Sequence, residues 1–205
     1  MLEGIHWLGH ASVRIDDKVV IYIDPWKVAE SKPADLILVT HGHHDHLSLE
    51  DIDRLSTPDT VIVSPASCAG ELSGDVRTIS VGDTLQIGEV SIEAVPSYNI
   101  DKPNHPRVAG NVGYLVEVGE RRIYHAGDTD LIPEMDDIRC DVALLPAGGT
   151  YTMDADEAAQ ALSHIETQVA IPIHWGEIVG SGEDARRFKD QSPEGVEVVI
   201  LEAEG

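Results

Sequence analysis

The sequence has 205 residues, 42% of them hydrophobic, which is enough for one globular domain, 1–205, with a substantial core. Its 37 acidic residues against 14 Lys and Arg leave a formal charge of −23, a field that repels nucleic-acid backbones and anionic membranes and makes both poor candidate partners, so that neither is expected. The two cysteines, Cys68 and Cys140, form neither a disulfide framework nor a metal-type pair. There is no signal-peptide pattern and no apolar run near the ~20 residues of a membrane helix, so the expected location is cytoplasmic.

In chain order, residues 19–23 and 36–39 read as strands that end at Asp24-Pro25 and at His41. Ser48, with Asp51 three residues on, opens a helix over Leu49–Leu55. A short strand at 61–63 ends at Ser64-Pro65, and 90–95 alternates with the period of two of a half-buried strand. Residues 101–106 are irregular. The regular pattern resumes immediately after them, so they read as a long functional loop and not a domain boundary. Segments 114–118 and 122–124 flank Gly119-Glu120-Arg121 as a hairpin. Strands follow at 142–145, 169–171 and 196–201. Asp154 with Glu157 opens a helix whose apolar face is Ala155, Ala158, Ala159 and Leu162, and a third helix covers 183–191. The pattern predicts a mixed α/β sandwich with central sheets and helices outside. The halves echo each other in Ile21-Tyr22-Ile23-Asp24 and Ile123-Tyr124-His125-Ala126-Gly127-Asp128, a hint of internal duplication.

The chemistry concentrates in Thr40-His41-Gly42-His43-His44-Asp45-His46. Four ligand-type side chains, His41, His43, Asp45 and His46, fall within six residues directly after an apolar strand. On a helix this spacing would scatter them around the axis, whereas a tight loop lets them converge, with Gly42 expected to permit the sharp backbone path. Imidazole and carboxylate suit Zn²⁺, Mn²⁺ or Fe²⁺. His44 is expected to face solvent, and His6 and His164 to be structural or surface residues. No Gly-x-Ser-x-Gly elbow suggests a protein nucleophile.

This loop resembles the His-x-His-x-Asp-His signature of the metallo-β-lactamase superfamily. Later motifs of that family stand in the expected order: His105, Gly127-Asp128-Thr129, and Ile171-Pro172-Ile173-His174-Trp175-Gly176. Trp7-Leu8-Gly9-His10-Ala11-Ser12, Asp24-Pro25 and Gly148-Gly149-Thr150-Tyr151-Thr152-Met153 are similar to the branch containing ascorbate-6-phosphate lactonase and, more distantly, N-acyl-phospholipid phosphodiesterase.

The resemblance implies a four-layer αββα sandwich and two divalent metal ions, Zn²⁺ favoured over Mn²⁺ or Fe²⁺. His41, His43 and His105 would hold the first, and Asp45, His46 and His174 the second, with Asp128 bridging. Asp45 would be the catalytic carboxylate, holding a hydroxide held by the metals and shuttling its proton. His125 competes with His105 for the first site. Asp24 is expected to orient a ligand imidazole. His10 is open between a donor behind the ligands, a substrate contact and a structural histidine. Gly148-Gly149-Thr150 could offer amides to an anionic group, and Tyr98 and Trp175 could line a pocket or pack the core. The expected activity is metal-dependent hydrolysis of a small-molecule ester, lactone or phosphodiester. A nuclease of the same fold and a non-catalytic metal-binding scaffold are the alternatives, and a homo-oligomer is left open.

Overall fold

The central strands are apolar along nearly their whole length, as in Val20–Ile23, Leu36–Leu38 and Val142–Pro146, so each has one face to bury against the opposite sheet and one against helices. The computed structural model describes residues 1–29 and 32–204, and its strands sort into two sheets. The first runs in the order β1 (Ile5–Gly9), β2 (Ser12–Asp16), β3 (Val20–Ile23), β4 (Leu36–Leu38), β5 (Val61–Ser64) and β6 (Asp75–Thr78). The second holds β7 (Thr84–Ile87), β8 (Val90–Pro96), β9 (Val112–Val118), β10 (Arg121–His125), β11 (Val142–Pro146), β12 (Val169–Ile173) and β13 (Glu197–Val198), again in chain order from edge to edge. The inner faces of both sheets share one core that includes Ile21, Ile23, Leu38, Val63, Tyr114, Ile123, Leu144 and Ile171. Helix α1 (Leu49–Leu55) covers the outside of the first sheet through Ile52 and Leu55. Helices α2 (Ala155–Ala161) and α3 (Gly182–Gln191) cover the second through Ala158, Ala159 and Phe188. The layers are therefore αββα, as expected.

The helix starts obey their sequence signals. Ser48 accepts from the Asp51 amide, and Asp154 and Ser181 each complete a capping box. The duplication hint has a topological counterpart. Each sheet is antiparallel up to one strand, β3 or β10, after which it continues in parallel. Tyr22 of β3 and Tyr124 of β10 sit at matching places, each buried under its own helical layer while the neighbouring isoleucines face the shared core. Residues 101–106 connect β8 to β9, which pair with each other in one sheet, so this stretch is a loop within the sheet.

Four strands lie outside the sequence expectation. β6 and β7 are four-residue edge strands whose residues are exposed or half-buried; β6 carries no apolar alternation, and that of β7 is only two residues long, Leu85 and Ile87. β1 and β2 form a short hairpin whose register shifts between Trp7 and Gly9, which breaks the period of two. The last strand is shorter than 196–201. β13 ends at Val198, and the chain then crosses to the other sheet, where the Glu204 amide donates to the Trp7 carbonyl (2.9 Å).

Candidate metal centre

The loops at one end of both sheets meet above the shared core. The turn between β1 and β2 brings His10, the end of β3 brings Asp24, and the loop after β4 brings residues 40–46. The β8–β9 loop brings His105, the end of β10 brings Asp128, and the end of β12 brings His174. Two constellations result. His41, His43, His105 and Asp128 each present a ligand atom within 4.8 Å of the others, and so do His10, Asp45, His46 and His174. All seven residues expected as ligands are thus brought together.

Asp128 joins the constellations. Its Oδ2 lies 3.3 Å from His105 Nε2 and 3.2 Å from His174 Nε2, and its Oδ1 lies 3.3 Å from His46 Nε2. Gly127 places it. With φ +64, it sits where an added Cβ would come within 2.9 Å of the Val112 carbonyl and 3.0 Å of Ser97 Oγ.

The donor set fits divalent metal ions by a test internal to the chain. His41 Nε2 and His105 Nε2 each stand 3.0 Å from His43 Nδ1, so three ring nitrogens face one point and a single proton cannot satisfy them. His46 Nε2, His174 Nε2 and Asp128 Oδ1 are buried without a hydrogen-bond partner among the described residues. The outer nitrogens of His41, His46 and His105, by contrast, meet acceptors, while His174 Nδ1 has none among the described residues. His41 Nδ1 donates to Thr40 Oγ1 (3.0 Å), His46 Nδ1 to Asp24 Oδ2 (2.7 Å), and His105 Nδ1 to Asn99 Oδ1 (3.1 Å). An acceptor outside takes one ring proton and turns the other nitrogen inward as the one a metal would take, for His46 once its second proton is displaced.

Asp24 holds the His46 imidazole by a hydrogen bond. Its Oδ1 accepts from the Thr40 amide (2.7 Å) and its Oδ2 from Thr40 Oγ1 (2.6 Å) and His46. Asp24, His10 and His174 all hold φ near +50°. That costs about 1–2 kcal/mol per non-glycine residue, and such outliers gather at functional sites.

The charges are set by this packing. For His46, burial favours the neutral ring, but the carboxylates of Asp128 and Asp24 outweigh it and hold the proton well above the ordinary histidine range. Burial, then the charge of His46, pulls His41 well below that range, and burial lowers His105, His125 and His10. Burial alone would raise Asp128 and Asp45. The histidines His174 and His46 around Asp128, and the His10 hydrogen bond on Asp45, reverse the direction and keep both ionised.

Other sequence expectations resolve as follows. His125 is excluded from the first constellation because both its nitrogens are committed. Nε2 donates to the Ala11 carbonyl (2.9 Å), and Nδ1 accepts from the Gly127 amide (3.2 Å). His44 is exposed, and His6 and His164 pair with surface carboxylates. Gly42 corrects one expectation. Its φ is not in the left-handed region, and a Cβ there would meet only Cys68 Sγ at 3.6 Å, an ordinary contact. In Gly148-Gly149-Thr150, the Gly149 amide is spent on the Met153 carbonyl and is not available to an anionic group. Gly148 instead allows close approach to the ligand strand, since its Cβ would stand 2.1 Å from the His174 carbonyl. Tyr98 and Trp175 pack: Tyr98 in the outer core with its hydroxyl on Glu134, Trp175 stacked on Trp7. Thr40 and Asn99 were not read as site residues. Asn99 accepts from the His105 ring and donates to Asp130 and the Tyr151 carbonyl, a role with no local sequence signal.

A cavity of about 250 Å³ opens onto the constellations, lined by His43, His44, Asp45, Asn104, His105, Asp128, Tyr151 and Ile178. No Lys or Arg is among these residues. Nearby cations are neutralised: Lys27 by Glu177 (2.8 Å), Lys102 by Asp130 and Arg107 by Glu134. A larger cavity of about 420 Å³, beside Tyr98 and Arg107, contains none of the ligand-type residues.

A family model described as a beta-lactamase superfamily domain matches residues 4–174. The UPF0173 metal-dependent hydrolase of Methanopyrus kandleri is 38% identical over 221 residues, covering 97% of this chain and 96% of that protein. Its counterpart in Thermoplasma volcanium is 37% identical over 201 residues, covering 91% and 89%. A solved structure from Parabacteroides distasonis is similar with a TM-score of 0.85 and 34% identity, covering 98% of this chain and 93% of that one. The metallo hydrolase Igni18 of Ignicoccus hospitalis has a TM-score of 0.82 at 24% identity, covering 97% and 94%, a likeness of fold. No helix among the described residues is long and apolar enough to cross a membrane.

Proposed function

Because the chain belongs to the beta-lactamase superfamily, and within it to the UPF0173 metal-dependent hydrolases, we propose that it hydrolyses a small uncharged ester or lactone with two divalent metal ions held by the constellations that meet at Asp128. The observation that carries the reading is the position of Asp128, whose two oxygens reach histidines of both groups at 3.2–3.3 Å. His41, His43 and His105 would hold one ion and Asp45, His46 and His174 the other, with Asp128 shared. Five imidazoles and two carboxylates favour Zn²⁺.

Bound metal supplies Lewis acidity and makes water nucleophilic near neutral pH. The chain supplies the rest. Asp45, ionised and with Oδ2 already engaged by His10, offers Oδ1 to orient the attacking water and receive its proton. Thr40, Asp24 and Asn99 hold the imidazoles in place, and Tyr151, Asn104 and Ile178 bound the space for substrate. The lack of any Lys or Arg in the lining supports an uncharged substrate over a phosphodiester, because the negative charge of a phosphodiester would enter the −23 field with no cationic side chain to meet it.

The test is turnover by zinc-loaded protein of simple lactones and aryl acetates against bis(p-nitrophenyl) phosphate. The neutral substrates are expected to lead in kcat/KM by at least about tenfold, a difference of about 1.4 kcal/mol in transition-state binding. A phosphodiester preference, or no turnover of either class, overturns the reading.

A further inference from the structure

His10 stands at the centre of a brace that the ligand residues do not account for. Its side chain is fully buried, and its Nε2 lies 3.0 Å from Asp45 Oδ2. A nitrogen lone pair facing a carboxylate oxygen at that distance would be two acceptors in opposition, so Nε2 must carry a proton. A protonated Nε2 cannot ligate a metal, although the His10 ring brings one nitrogen within 4.8 Å of ligand-type atoms of Asp45, His46 and His174. The opposite nitrogen, Nδ1, is buried with no partner among the described residues, so no second hydrogen bond among them competes for the orientation of the ring. The ring rests on His174 with centroids 3.9 Å apart, and Trp26 closes it at 5.3 Å.

The backbone is fixed just as firmly. The His10 carbonyl accepts from the Trp7 indole (2.8 Å) and from the His174 amide (2.7 Å), which joins two residues that both hold positive φ. Ala11 offers its carbonyl to His125, and Ser12 Oγ donates to the Asp24 carbonyl (2.6 Å) while accepting the Trp26 amide (2.9 Å). Three consecutive residues thus tie the β1–β2 turn to the segments carrying Asp24, Asp128 and His174.

We propose that His10 is a positioning residue that, through an Nε2–H donated to Asp45 Oδ2, holds this carboxylate in the second constellation without itself being a ligand. Asp45 is the carboxylate most in need of such a partner. Its side chain retains 12% exposure, against 4% for Asp128, and beyond His10 its neighbours among the described residues are the exposed His44 at 3.5 Å and His46 Nε2 at 3.8 Å, the latter outside hydrogen-bond distance. Without His10 it is free to turn toward water. The expected cost is that of losing an outer hydrogen bond to a metal ligand, about 10–100-fold in affinity for the second equivalent of metal.

The proposal rests on reading the second constellation as a metal site, and two measurements separate its failure from the failure of that reading. The first is competition of zinc with a chelator in the native chain, His10→Ala and His10→Gln. Glutamine carries an amide N–H to roughly the reach of Nε2. His10→Ala is expected to weaken the second equivalent about 10–100-fold with the first unchanged, and His10→Gln to recover most of that loss. Unchanged binding in His10→Ala, or an equal loss from both equivalents, overturns the proposal. The second is the ring tautomer of His10 by nitrogen–proton correlation NMR on the native chain, with and without zinc, which does not depend on any variant folding. A proton on Nε2 in both states is expected. Its absence in the metal-free chain, or its loss on zinc loading, overturns the proposal even where two metals bind. A native chain that takes up no second zinc while His10 keeps its Nε2–H refutes the functional reading alone.

Discussion

Replacing His46 with alanine is expected to abolish hydrolysis and to leave one metal equivalent where the native chain binds two. His46 is fully buried, and its ring spans two carboxylates, with Nδ1 2.7 Å from Asp24 Oδ2 and Nε2 3.3 Å from Asp128 Oδ1. Its loss takes one of three unshared ligands from the second constellation and leaves Asp45 and His174 alone beside the shared Asp128. Turnover is expected to fall on the order of 10²–10³-fold or more, the scale for removing one preorganised electrostatic stabiliser. His41, His43 and His105 are untouched and should keep their ion. The variant should still fold. Asp24 loses one of its donors but keeps the Thr40 amide and hydroxyl, so the cost in stability is about 1–3 kcal/mol. Elemental analysis and a turnover assay on one preparation check this, and full metal content in an inactive variant would refute the ligand assignment.

The second large effect is acid sensitivity. In the metal-free chain His46 holds its proton above the ordinary value of 6.5, because Asp128 and Asp24 outweigh burial. His41 and His105 are held below it by burial and are free to bind. Metal uptake at the second constellation must therefore displace a proton that the first need not, and lowering the pH should strip the second ion first. The stability of the metal-free chain follows from the same directions. A raised folded-state value for His46 contributes stability that is fully present below 6.5 and is lost as pH rises through the raised value. The lowered values of His10, His41, His105 and His125 act oppositely, because protonation of the unfolded chain below 6.5 pulls it open. The melting temperature of the chelator-stripped chain should therefore peak near the ordinary histidine value and fall on both sides, each unmatched proton being worth about 1.4 kcal/mol per pH unit. A profile rising steadily from pH 6 to 9 would contradict these assignments.

Much of this was legible in the sequence because metal sites recruit residue types that have few other reasons to cluster. Four ligand-type residues after a strand at 36–39, with Asp128 and His174 each ending later apolar runs, marked the sheet end where the site lies. Helix starts were readable because caps are local: Ser48, Asp154 and Ser181 act within three residues of themselves. What stayed hidden was long-range or unpatterned. Asn99 orients His105 across a loop, and Thr40 links His41 to Asp24, both through contacts that no periodicity announces. The choice between His105 and His125 needed the Ala11 carbonyl, 114 positions away in sequence, to show that His125 is already committed. Gly42 misled, and the close approach that Gly148 permits stayed hidden, for one reason. A glycine's purpose depends on what approaches it, and that is decided by the fold.

The claim on which the account rests is that Asp128 joins two metal positions into one catalytic centre. Calorimetric titration of zinc into the chelator-stripped chain, with turnover of a neutral ester followed at each addition, tests it most directly. The account predicts saturation at two equivalents per chain, with hydrolysis rising chiefly on the second. Saturation at one equivalent, or full activity before the second is bound, would contradict it.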